Sequence, residues 1–334
     1  MGRPCRSMLY YSNYFKLAYG NFGDDLNPWL WSRLAPEVCE QSEPALFLGI
    51  GTILSRSVPS EPIKVVFGSG CGSNAAPDID QRWFIYGVRG PLSAAKLHLK
   101  PDLSLGDPAI LVRRIRLPSY KKRFPVSFMP HHQSVIEAGW DDLSRRAGIH
   151  YIDPRGSVDE VLLQIRQSEV LIAEAMHGAI VADALRVPWI PVRLYGNFME
   201  FKWRDWTESV QAPLHITNVP PVFDRQLVSK KGFVHAFKKV AATAGVGKTK
   251  WKHLRIRPST EREVSDSLRA LEKVSKTSQP CLSSDAAIER VESRLFERLT
   301  ELRQDWKNGR FNPLKREARA GISTASGGKA RMQG

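Results

Sequence analysis

The chain has 334 residues, 42% of them apolar and 25% charged, a composition that fits a soluble globular protein long enough for two core-building domains. No uncharged apolar run approaches the roughly 18 residues that a membrane span needs, and no apolar h-region follows Met1, so the cytoplasm is the expected compartment. The formal charge of +15 is the one compositional extreme, and the four cysteines (Cys5, Cys39, Cys71, Cys281) lack C-x-x-C or metal-like spacing, so no disulfide, metal site or cofactor is expected.

In chain order, the first informative segment is YGNFGDDLNP at 19–28, a polar loop ahead of an amphipathic stretch with Trp29, Leu30 and Leu34. An ordinary helix N-cap needs one short polar residue. Here Asn21, Asp24, Asp25 and Asn27 supply a surplus, and Gly20 and Gly23 let backbone approach a ligand, which points to a hydroxyl-rich substrate. Apolar runs at 46–54 and 65–68 follow, both broken by glycines. With Gly49 and Gly51 in the first, they predict backbone N–H groups along one sheet edge, although tight turns also select glycine. The run at 83–88 ends at Arg89, whose planar fork suits a carboxylate or phosphate, and Asp107 precedes the run at 110–112.

A basic, proline-containing stretch at 113–124 reads as a linker. Beyond it, the run at 126–129 ends in exposed polar residues including His131, and a further run lies at 150–152. The run at 170–173 then stops at Glu174, His177 and Gly178 before apolar residues resume at helical spacing. That is a strand delivering polar groups to a helix start, where free N–H groups attract anions. His177 at that point is either a core histidine or a working one. After the run at 189–194, Lys202 and Arg204 alternate with Trp203 and Trp206, which are suited to a sugar face or to ordinary packing. A last run lies at 215–219.

Nine such runs, separated mostly by helix-length segments, predict an α/β protein with parallel sheets covered on both faces. The linker divides it into two Rossmann-like domains at 1–118 and 119–228. Residues 229–334 form a basic, largely helical extension with 24 Lys and Arg against 11 Asp and Glu, so about +13 of the net charge lies there. Within it, Ile288, Val291, Leu295, Leu299, Leu302 and Trp306 recur at steps of 3 or 4, on one face of a helix opened by Ser284-Asp285 and closed by Asn308-Gly309. Its mixed-sign polar face favours docking on protein over lying on a membrane. The string AGVGKT at 244–249 is not a P-loop, because Ala242 stands where the first glycine is required and no strand precedes it. The end from Gly321 is expected to be disordered. The charge suits anionic lipid headgroups or a solvated extension, and without an aromatic-interleaved motif no nucleic-acid partner is expected.

Taken in order, GNFGDDLNP, LGIGTIL, FGSGCG, GVRGPLS, LGDPAIL and EAMHGAIVADALRVPWIPV resemble the polysaccharide pyruvyl transferase family over about residues 19–206, and within it the branch that adds ketal pyruvate to exopolysaccharides such as succinoglycan. The resemblance implies two Rossmann-like domains facing across a cleft, as in B-type glycosyltransferases. It also implies phosphoenolpyruvate as donor and a lipid-linked oligosaccharide at the inner face of the cytoplasmic membrane as acceptor, with peripheral membrane contact. The family motif Arg-Leu-His-Gly becomes Ala175-Met176-His177-Gly178 here, so Arg89, Lys202 or Arg204 must supply the donor-site charge. His177 then delivers a proton or steadies the leaving phosphate, and Asp24 or Asp25 accepts hydroxyl protons, with the first domain on the acceptor side and the second on the donor side. A nucleotide-sugar glycosyltransferase of the same architecture is the alternative.

Overall fold

A computed structural model describes residues 20–40, 45–224 and 258–311. The linking segment at 225–257, the end at 312–334 and the start of the chain lie outside them. So do AGVGKT, the tail expected to be disordered and much of the basic charge.

The fold is mixed α/β with two parallel sheets. The first has the order β1 (Ala45–Leu48), β2 (Ile63–Phe67), β3 (Trp83–Gly87), and the second is β5-β4-β6-β7-β8. Its strands are β4 (Phe124–Met129), β5 (His150–Tyr151), β6 (Ser168–Ala173), β7 (Trp189–Arg193) and β8 (Thr217–Asn218). Registers such as Phe47↔Val65 and Phe128↔Ile172 are parallel throughout, so all carboxyl ends of a sheet share one edge. Continuous burial of β1 and β2 matches their unbroken apolar sequences.

Two segments differ from expectation. Residues 22–28 are not loop: helix α1 spans Phe22–Leu34 and absorbs them. Pro28 lies inside that helix and cannot donate a backbone hydrogen bond. The Asn27 side chain approaches the orphaned Asp24 carbonyl at 3.4 Å and donates to the Ile50 carbonyl at 2.9 Å, while its Oδ1 accepts from Ile50 N at 2.8 Å and Trp31 Nε1 at 3.0 Å. The run at 110–112 is not a strand but lies in a 3-10 helix, Pro108–Arg114, with Asp107 as its N-cap and Pro108 at its first position. Its apolar residues are buried because helical elements cover them, not because they join a sheet. The expected linker therefore shortens to residues 115–123.

Helix α2 (Pro36–Glu40) follows α1, and α3 (Pro91–Lys96) follows β3. Around the second sheet lie α4 (Trp140–Arg146), α5 (Val158–Gln167), α6 (Met176–Ala184) and α7 (Glu200–Ser209). Helices α8 (Glu261–Thr277) and α9 (Asp285–Lys307) come last. In α9, Ser284 caps the first turn and Gly309 beyond its end has φ 67°, the left-handed turn that glycine allows. All six periodic residues of α9 are buried, and Trp306 meets Phe47 edge-on at 6.3 Å and Phe311 at 5.1 Å. The last described helix is thus part of the first sheet's core. One apolar cluster runs from Phe47 and Phe67 through Ile110 and Ile180 to Trp189, Trp203 and Trp206. Among the described residues no helix is long and apolar enough to cross a membrane.

The two sheets are also joined by charge. Arg89, just beyond β3, is fully buried: its Nε donates to Asp205 Oδ2 of α7 at 3.0 Å, Nη1 to Thr52 Oγ1 at 2.7 Å and Nη2 to the Cys71 carbonyl at 3.0 Å. Asp205 in turn accepts from the Ser93 amide at 2.8 Å and hydroxyl at 2.5 Å.

Truncating a buried tryptophan removes both transfer energy and packing, typically about 3–5 kcal/mol. Trp306→Ala is expected to lose that much in urea unfolding followed by tryptophan fluorescence and circular dichroism. Arg89→Met, which strands the Asp205 carboxylate, is expected to cost about 3–5 kcal/mol, whereas the double variant Arg89→Met/Asp205→Leu should recover much of it.

Candidate active site

The carboxyl edge of the second sheet gathers residues far apart in sequence. His177 lies in the first turn of α6, one turn after β6 ends. The first turn of α1 rests on it: a Cβ added to Gly23 would lie 2.1 Å from His177 Nδ1, so only glycine permits the approach. Helix α1 is held there by Phe22 N donating to the Pro154 carbonyl at 2.8 Å and Trp29 Nε1 to Asp159 Oδ1 at 2.9 Å. The expectation that the Asp24–Asp25 segment faces His177 from the opposite side is therefore corrected. These carboxylates share a wall with it, because α1 docks on α5 and α6 although it precedes the first sheet in sequence.

The two carboxylates differ. Asp25 Oδ2 accepts from the Asn21 amide at 3.0 Å and is partly buried, and that burial raises its pKa against the lowering effect of the amide. Asp24 is exposed, receives Asn21 Nδ2 at 2.7 Å, and lies close enough to His132 and Lys202 to stabilise their cationic forms.

His131 and His132 stand where β4 ends, rings 4.2 Å apart. Burial, reinforced by Lys202 and by its imidazole neighbours His132 and His177, holds the His131 pKa well below the usual value. His132 is lowered to about 4, first by burial and then by Lys202 and Arg155, against Asp24. Both are neutral hydrogen-bonding groups near pH 7. Glu174 ends β6 as a buried carboxylate accepting the His131 amide at 2.8 Å, and burial raises its pKa despite the nearby Leu194 amide and Lys202. It clamps strand ends together.

The three cations offered by the sequence separate cleanly. Arg89 is not an anion ligand, since its guanidinium is 0% exposed and engaged with Asp205, Thr52 and the Cys71 carbonyl. Arg204 is 61% exposed on the outer face of α7 and paired with Glu200 at 2.7 Å, so it leaves the site too. Lys202, two residues earlier and on the inner face, remains. Burial and the Arg89 charge lower its pKa to about 8, against Glu174 and Asp24, and no acidic side chain lies within ion-pair distance of it among the described residues. Trp203 and Trp206 are core residues packed on Trp189 at 6.0 and 5.0 Å, not sugar platforms.

Several other expected contacts are structural. Asn27 is committed to Ile50 and Trp31. Gly49 and Gly178 are close approaches, the first to Trp31 and Asn27 and the second to Met129 Sδ, while Gly51 takes φ 137°. Asp107 is 0% exposed and cannot touch substrate directly. Its Oδ1 accepts from the Ala109 amide at 2.9 Å, and its Oδ2 lies 3.7 Å from His177 Nε2. Sequence reading passed over His132, Arg155 and Thr52. The adjacent histidines at a strand end were the available signal for the first, and nothing local marks the other two. Among the described residues no group of three or more His, Cys, Asp or Glu side chains is placed to hold a metal ion.

The site thus offers a helix start bearing one histidine, two neutral imidazoles, one lysine lacking an ion-pair partner and one exposed carboxylate, an arrangement able to bind an anion and move protons to and from hydroxyls. The chain is 42% identical over 211 residues, 62% of its own length and 67% of the relative's, to the succinoglycan biosynthesis protein ExoV of Rhizobium meliloti (strain 1021). No solved structure matches it. The polysaccharide pyruvyl transferase family model matches residues 18–194, which span α1, the first sheet and the second sheet through β7, so the chain belongs to that family and is a pyruvyltransferase.

Proposed function

We propose that this enzyme transfers the pyruvyl group of phosphoenolpyruvate, as a ketal, to a sugar of a lipid-linked exopolysaccharide repeat unit, in a cleft between two facing Rossmann-like units. The observation that carries the reading is the convergence of His177, Lys202 and Asp24 at the carboxyl edge of the second sheet, beside a helix N-terminus. The relative's role in succinoglycan biosynthesis supports the polymer class. Peripheral contact with the anionic inner leaflet, through the basic segments, would hold the enzyme near such an acceptor.

The balance of the reaction fixes what the residues must do. One proton is added to the terminal methylene of the donor, which becomes the ketal methyl group, while C2 acquires oxocarbenium character. A first sugar hydroxyl attacks C2 and loses its proton, the C2–O bond to phosphate breaks, and a second hydroxyl attacks and loses its own. Of the two hydroxyl protons released, one balances the proton placed on the methyl and the other leaves with phosphate. His177 supplies the methylene proton, Asp24 accepts hydroxyl protons, and Lys202 faces the donor's anionic groups with the α6 N-terminus. Lys202 stands in for the arginine that Ala175 replaces.

His177→Ala is expected to lower turnover on the order of 10²- to 10⁴-fold while circular dichroism and unfolding midpoint stay near wild type. Turnover would be read as acid-labile labelled pyruvate on a lipid-linked oligosaccharide. Near wild-type turnover would return His177 to a packing role.

Lys202 titrates near 8, so its positive charge is complete well below that pH and lost above it. The KM for phosphoenolpyruvate is therefore expected to rise as pH climbs through about 8. Lys202→Arg should remove that rise, and Lys202→Met should raise KM at every pH with a smaller effect on kcat. An unchanged donor KM in Lys202→Met would place the donor elsewhere.

A further inference from the structure

Asp107 and His177 belong to different halves of the chain, yet each presents a buried polar atom to the other. Asp107 Oδ2 and His177 Nε2 both lie out of water, neither has a hydrogen-bond partner among the described residues, and they are 3.7 Å apart. A carboxylate oxygen removed from solvent without a partner is costly, and the imidazole is the group placed to relieve it. At 3.7 Å the pair stands just outside hydrogen-bond range, a separation that a small ring rotation closes and that is common in sites without bound substrate.

The position of Asp107 is built with care. The residue before it, Gly106, takes φ 112°, and a Cβ there would lie 2.4 Å from Val291 of α9, so the turn requires glycine on two counts. Asp107 Oδ1 is spent on the Ala109 amide, which fixes the carboxylate plane and aims Oδ2 at α6. A residue needed only as an N-cap would not require its second oxygen to be buried against an imidazole.

We propose that Asp107 is the positioning residue of the transfer site: its carboxylate holds the His177 ring with the proton on Nε2 and steadies the imidazolium, leaving Nδ1 as the atom that exchanges a proton with the reactants. This rests on the proton-transfer role of His177 proposed above. The proton ledger stays closed, because Asp107 keeps its negative charge and the proton moves only between Nδ1 and substrate. Of the other titratable groups, His131 at the end of β4 acts on the ring and is itself acted on by Lys202 of α7, while α1, whose Gly23 meets the ring, carries Asp24 and Asp25 in its first turn.

The test uses the full chain. Asp107→Asn keeps an oxygen for the Ala109 amide and removes the charge. The expected result is a folded protein with unchanged KM for phosphoenolpyruvate and kcat lowered on the order of 10²- to 10⁴-fold, as for an orienting aspartate elsewhere. Nitrogen-15 spectra of the histidines, with the His177 signal identified by its loss in His177→Gln, should show an Nε2-protonated ring in the parent and a different tautomer mixture in Asp107→Asn. If that variant fails to fold, Asp107→Ser retains a capping hydroxyl without a carboxylate and gives the same readings. Wild-type kcat and tautomer in the charge-free variant, with His177→Ala inactive, overturns the positioning role and leaves the transfer reading standing. An active His177→Ala overturns the transfer reading itself.

Discussion

An arginine and an aspartate wholly removed from water persist because each neutralises the other while Thr52, the Cys71 carbonyl and Ser93 take their remaining hydrogen bonds, and that arrangement sets the geometry nearby. Arg89 closes the first sheet and Asp205 belongs to α7, so their bond fixes α7 against the glycine-rich strand ends at 49–52 and 68–72. Lys202 sits one turn earlier on the same helix, on the side facing the second sheet. The burial that makes the pair costly to break also sends the arginine's field into the site, where it disfavours the charged form of Lys202. A buried arginine thus acts, after burial itself, on the titration of the lysine proposed to face the donor.

The same dependence explains what was legible in the sequence. Strand ends that deliver polar groups were readable because parallel strands are apolar until they stop, and Glu174, His177 and Gly178 interrupt the run at 170–173 abruptly. The α9 pattern was readable because six apolar residues at helical spacing leave one arrangement to choose. Arg89 was not, because its partner lies 116 positions away, and nothing local tells a guanidinium aimed at a ligand from one aimed at a buried carboxylate. The run at 110–112 failed for a related reason. Three apolar residues fit a buried strand or a buried turn of helix equally well, and the deciding signal, an aspartate followed by proline, lay just upstream and reads as a helix start.

Helix α1 shows the limit of reading domains from order alone. It comes before the first sheet but rests on α5 and α6, and Asn27 at its middle clasps the loop after β1. The expected boundary near residue 118 marks the chain's crossing between sheets, yet α1 and α9 both reach across it. Each end of the described chain therefore braces a site that lies between. Gly23 sets how closely α1 may approach His177, and Val291 of α9 backs the turn that aims Asp107.

On the reading proposed above, a lysine on another helix takes the place of an arginine beside the histidine, and that changes more than position. A guanidinium stays charged at any pH the cell meets and grips an anion through a planar fork, whereas a desolvated ammonium is a point charge that titrates. With Ala175 in the arginine's place, the α6 N-terminus presents backbone N–H groups without an adjacent cation, and Lys202 answers from across the site. His131 and His132, held neutral by burial and by that same lysine, add hydrogen bonds without competing positive charge. Positive charge beside the strand ends is thus carried by one titratable amine, and the two imidazoles next to it, His131 and His132, are polar but uncharged. On the donor-binding role proposed for Lys202, anion binding favours the charged lysine, so donor affinity and proton uptake are linked as pH rises through about 8, in a way that a fixed guanidinium would not impose.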